Sequence, residues 1–136
     1  MANIASYLQK AMLDWVLGGA AVTQPGSRLA ALTLGMPTNT NAGPANTAEV
    51  LPASGYLRQT SLFGAAASPA GSASNTAAMT FGPFSSSAAI QGLVIYDTSA
   101  FTAGNMLWYG TLLTARTVLP GDTLVVAAGA LLITLS

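Results

Sequence analysis

Few groups in this sequence could exchange a proton or hold an ion. They are the carboxylates Asp14, Glu49, Asp97 and Asp122 and the cations Lys10, Arg28, Arg58 and Arg116. Two carboxylates brought together can serve as general acid and base, but these four fall in unrelated segments. An acid beside Gly or Pro, as in "LPGD" at Leu119 to Asp122, more commonly closes a turn. The sequence has no Cys and no His, which removes thiolate nucleophiles, disulfides, His-based triads and zinc sites of the usual ligand types. No catalytic residue, cofactor-binding residue, metal ligand or cofactor is therefore expected. The four cations are scattered and balanced by acids, so no basic run can neutralise successive phosphates, and nucleic acid is not an expected partner.

The scarcity of charge is itself informative. Charged residues make up 6% of the 136 residues, with a formal net charge of +0, against about 25% in an ordinary soluble domain. Such a chain gains almost nothing from electrostatic repulsion and tends to associate. Its length suits one domain, read as an N-terminal helix over 1–19 and a β-sandwich over 20–136.

The last segment, "LLTARTVLPGDTLVVAAGALLITLS" from Leu112 to Ser136, is apolar enough to raise the question of a membrane. A spanning helix needs roughly 20 mostly apolar residues, and this run is interrupted by Arg116, Pro120, Gly121 and Asp122. No membrane partner is expected. The first residues also fit a secretory signal poorly, since Asp14 sits in their apolar part and no early basic region precedes it, although the Ala-rich stretch after Gly18 and Gly19 imitates a cleavage site.

The elements that must position these residues follow from periodicity. Ile4, Leu8, Met12 and Trp15 recur at helical spacing and predict one helix over Asn3 to Leu17, with Asn3 as N-cap and Gly18 and Gly19 at its end. This stripe packs on its own domain or on a partner. Beyond it, short apolar runs alternate with turn residues, predicting strands at Leu29 to Leu34, Tyr56 to Phe63, Thr76 to Phe81, Ile90 to Tyr96, Met106 to Leu113, Thr123 to Ala127 and Ala130 to Leu135. The fold class is mainly β, an antiparallel β-sandwich or jelly-roll-like domain with one N-terminal α-helix. Gly35 to Gly55 reads as an exposed excursion and Ala65 to Asn75 as a shorter loop. "LPGD" should reverse the chain and pair Thr117 and Val118 with Thr123 to Val125, Gly104-Asn105 should turn it before Met106, and Gly129 should bend the final strand pair.

Both faces of the strands at Ile90 and Met106 are largely apolar, whereas a two-layer sandwich leaves one face of each sheet to water. A helix of about 15 residues is only about 22 Å long and covers part of one sheet. The remaining apolar surface is expected to be buried on another protein, and the isolated chain is expected to form dimers or trimers. Arg58 and Asp97 lie within or at the end of strands, where a charge needs a fixed partner. Each is expected to have one, with the two as a candidate structural pair.

The succession "LAALTLGMPT", "GYLRQT", "SNTAAMTFGPF", "IQGLVIYDT", "GNMLWYGTLL" and "VLPGDTLVVAAGALLITLS" resembles small virion proteins of tailed bacteriophages, labelled tail-fibre or head-decoration proteins. The resemblance implies a β-rich virion component without enzymatic activity. The leading expectation drawn from it is a capsid cement or decoration protein bound to the major capsid protein at the capsid surface. A tail, adaptor or fibre-base protein is the alternative. A carbohydrate-binding module, with Trp15, Trp108 or Tyr109 stacking on a sugar, is a third reading.

Overall fold

The structure, a computed structural model, describes residues 2–21, 23–38, 48–67, 71–101 and 103–135. The middle of the Gly35 to Gly55 excursion and part of the Ala65 to Asn75 loop lie outside them. Among the described residues there are nine strands and one α-helix. They are β1 (Ala2–Ile4), α1 (Ser6–Val16), β2 (Leu29–Thr33), β3 (Gln59–Thr60), β4 (Ser72–Ser74), β5 (Met79–Phe81), β6 (Ala88–Tyr96), β7 (Met106–Val118), β8 (Leu124–Val126) and β9 (Leu132–Thr134). The protein is mainly β, and all its strand pairs are antiparallel. One sheet has the order β1-β7-β6-β2-β3, and two ribbons, β4-β9 and β5-β8, complete the strand inventory.

Apolar runs account for the central strands. All five residues of β2 are buried, as are the last five of β6, so the middle of the sheet is covered on both faces, as its lack of polar alternation requires. Met79 and Phe81 of β5 join the same buried cluster as Leu32, Val94 and Ile95. The Phe81 ring stacks on Tyr56 with centroids 6.0 Å apart. At Gly92 the covering layer comes so close that a Cβ would lie 2.4 Å from Cδ of Pro37, so only glycine fits beneath that proline.

The N-terminal expectation changes in two ways. Asn3 and Ile4 belong to a strand, with Ile4 opposite Trp108, and the helix begins at Ser6 after Ala5, which provides no side-chain cap. Asn3 therefore does not cap the helix. Its N–H and C=O lie in a ladder instead, which satisfies backbone groups just as a cap would. The helix docks mainly through Ala5, which is fully buried, and Leu8, which packs partly on the core. Met12 sits at the exposed limit, Trp15 is 65% exposed, and Leu13, Val16 and Leu17 are exposed as well. Within a single chain the Ile4, Leu8, Met12 and Trp15 stripe is thus not buried along its length. The sheet offers no surface beyond the first turns, and Lys10 and Asp14 form an exposed i,i+4 pair beside them. Trp15→Ala should accordingly change the unfolding free energy by about 0.5 kcal/mol or less. A loss of several kcal/mol in urea titration would mean that the helix end packs elsewhere.

The C-terminal pairing also differs from the local expectation. The "LPGD" turn forms as anticipated, with the Asp122 N–H donating to Leu119 O at 3.0 Å and Gly121 at φ +90°, the left-handed value a type II turn needs at its third position. It does not send the chain back along β7. Instead the Gly121 N–H donates to Phe84 O at 2.7 Å and the Phe84 N–H to Asp122 O at 2.9 Å, which steers β8 onto β5. The strands on either side of Gly129 then separate, β8 pairing with β5 and β9 with β4. Turn chemistry fixed the reversal, while the buried partners Met79 and Phe81 selected the neighbour.

Candidate functional site: a buried ion pair and an apolar groove

Arg58 is the most buried cation among the described residues, and its partner is Glu49, not Asp97. The guanidinium grips the carboxylate at both ends, Nε to Oε1 at 2.8 Å and Nη2 to Oε2 at 2.7 Å. Nη1 donates to the carbonyls of Thr98 (2.8 Å) and Ala103 (3.2 Å), and the group lies over the Tyr96 ring, 4.0 Å from its centroid. Planar bidentate geometry with all three guanidinium nitrogens hydrogen-bonded is what allows an ion pair to survive burial. The Tyr56 hydroxyl donates to Glu49 Oε1 at 3.1 Å and accepts from the Leu32 N–H at 2.9 Å. Asp97 has a separate task. It accepts from the Asn105 backbone N–H at 2.7 Å and from Asn105 Nδ2 at 2.8 Å, closing the loop before β7. The sequence thus named two charges in need of partners but misassigned the pair. Glu49 lies in a stretch read as an exposed excursion, and nothing local marks it as buried.

This cluster is a buried clamp whose ion pair is 2% exposed on both sides. Burial, reinforced by the Glu49 charge, pushes the Tyr56 hydroxyl far above the usual phenol range. The unfolded chain therefore releases this proton first. Tyr56's contribution is complete below about pH 10 and is lost as pH rises further. Urea midpoints for the native chain should fall between about pH 9 and 11, and Tyr56→Phe should flatten that fall. An equal slope in both proteins would refute the assignment.

The larger concavity lies elsewhere. A groove of about 1120 Å³ runs between β7, β8 and β9, with Trp108, Leu112, Leu124, Val126 and Ile133 on its walls and Arg116 and Asp122 among its few charges. Its shape comes from an irregularity in β7. Ile90 faces Arg116 and Gly92 faces Thr111, so the four residues Leu112 to Ala115 oppose Gln91 alone. A bulge of this size bends the strand and re-aims its side chains. Leu113 ends fully in solvent, with 105% relative exposure. The opposite wall is held by Asn75, whose Nδ2 donates to the carbonyls of Ala77 and Ala127, both at 2.8 Å, and whose Oδ1 accepts from the Leu131 N–H at 2.9 Å. "LLTA" reads as uninterrupted strand, so neither bulge nor groove was visible in the sequence. Trp108 and Tyr109 are half-buried against the core cluster.

Among the described residues, no three acids gather where a metal ion could sit, and no helix is long and apolar enough to cross a membrane. The chain is thus a neutral, mainly antiparallel β protein with a groove walled by its own apolar strands. The chain belongs to the family of the podophage GP4 fiber I protein gp80, whose profile matches residues 3–134. It is a structural protein of a bacteriophage virion, in agreement with the resemblance seen in its motifs. No curated protein matches it.

Proposed function

We propose that this chain is a tail, adaptor or fibre-base structural protein of a podophage, acting by assembly and without catalysis. The family match over residues 3–134, to a protein described as a fibre component, carries the reading. It favours the tail over the capsid-cement role that the charge deficit, the two-sided apolar strands and the motif resemblance suggested together. Attachment rests on apolar and backbone contacts, because eight formal charges, several of them already engaged, leave little for steering or surface ion pairs.

The test uses purified virions separated into filled heads and tails, with the chain followed by a specific antibody. It should travel with the tails and stay attached through a wash in about 1 M NaCl, where the screening length is about 3 Å. It should come away in urea. Recovery with filled heads after tail removal would return the assignment to a shell cement, and release by salt alone would overturn the apolar mode of attachment.

A further inference from the structure

We infer that the β7–β8–β9 groove is an interface closed by a second copy of this chain, with the Leu112 to Ala115 bulge of each copy seated against its neighbour's groove. This goes beyond the fibre reading and does not depend on where in the virion the chain sits.

Four observations converge on this surface. Leu113 is an aliphatic side chain held entirely in solvent by an ordered strand, an arrangement that leaves apolar area in want of a cover. The groove, at about 1120 Å³ and lined along β7, β8 and β9, is large enough to receive side chains of a polypeptide segment. β1 pairs with β7 only at Trp108 to Gly110, so among the described residues no strand occupies the outer edge of β7 beyond Gly110. Its free N–H and C=O groups there can accept a further strand. Knob and groove are also adjacent, since Leu112 and Leu113 both line the groove and Leu113 is the one wholly in solvent. Any copy that offers the knob therefore offers the receptor beside it, the condition for a self-complementary contact.

The charges select the occupant. The groove carries one cation, Arg116, and one anion, Asp122. Among the described residues Arg116 has no ion-pair partner, and Asp122 uses Oδ2 to accept from the Leu119 N–H. A matching surface must be apolar with one charge of each sign, and a second copy of this same face meets that requirement. A strongly acidic or strongly basic partner would leave one of the two charges opposed by its like.

The chain contains no cysteine, so engineered thiols report contacts cleanly. Full-length chains carrying Leu113→Cys are mixed with chains carrying Val125→Cys, a groove position, and oxidised. A disulfide-linked pair joining the two variants is expected, and none with Leu57→Cys, which is exposed away from the groove. In sedimentation at tens of micromolar the unmodified chain should associate, and Leu113→Asp should weaken association roughly tenfold or more while its thermal midpoint stays unchanged. A monomeric unmodified chain overturns the inference. So does association without the 113–125 link, or capture of the groove by another virion protein in place of a copy. If Leu113→Asp fails to fold, the cross-linking result decides alone. A monomer located on tails would sink this inference and spare the fibre assignment, and an associating chain located on heads would do the reverse.

Discussion

Arg58→Met should lower the unfolding free energy by about 3–5 kcal/mol, a large fraction of the roughly 5–15 kcal/mol available to a domain of this size. Methionine approximates the length of the lost stem but supplies none of the four hydrogen bonds that Arg58 makes to Glu49, Thr98 and Ala103. Among the described residues the Glu49 carboxylate would remain buried with only the Tyr56 hydroxyl donating to it, and an unpaired buried charge costs far more than the pair contributes. A companion variant, Arg58→Met with Glu49→Gln, should recover part of the loss because no charge is then stranded. Urea denaturation measures both, provided the slope is unchanged. A shift below about 1 kcal/mol for the single variant would show that the pair is not a clamp.

The second large effect is expected at Asn75. This buried side chain ties the connection between β4 and β5 to the C-terminal segment through three hydrogen bonds, and its backbone adds two more contacts, accepting from the Gly129 N–H at 2.7 Å and donating to Leu131 O at 3.2 Å. Asn75→Ala leaves the carbonyls of Ala77 and Ala127 and the Leu131 N–H without their partner, at a cost of about 3 kcal/mol. The loss should be local before it is global. Hydrogen exchange should accelerate first in β8 and β9, leaving β2 and β6 protected. Uniform acceleration across the sheet would mean that Asn75 is not a hinge-pin of the groove wall.

How much of this was legible in the sequence varies by element. The i, i+4 apolar spacing predicts a helix over Asn3 to Leu17 and one forms at Ser6–Val16; the Val, Ile and Leu run predicts a strand over Ile90 to Tyr96, and β6 covers it and extends back to Ala88. β1 escaped because three residues show no period and lie next to a helical stripe. β4 escaped because Ser72–Ser74 is small and polar, the composition of a loop. Partner choice was the least visible feature. "LPGD" announces a reversal, yet which strand receives β8 depends on Phe84 and Phe81, some 40 residues earlier in the chain. The groove was hidden for the same reason, since it depends on a register change that only the pairing of β6 with β7 reveals.

The two ribbons have a consequence for the order in which the molecule comes into being. Ser72 pairs with Thr134 and Met79 with Val126, so each ribbon closes a long loop whose entropy must be lost before its contacts form. The β2–β6 and β6–β7 pairings are complete in principle once Val118 has been synthesised, but β4 and β5 wait as unpartnered edges until the C-terminal strands emerge. Two walls of the groove thus form only when β8 and β9 have reached β5 and β4. Until both ribbons close, Leu113 has no completed groove in a neighbour to enter, so the docking inferred above would wait on the pairing of β8 with β5 and β9 with β4.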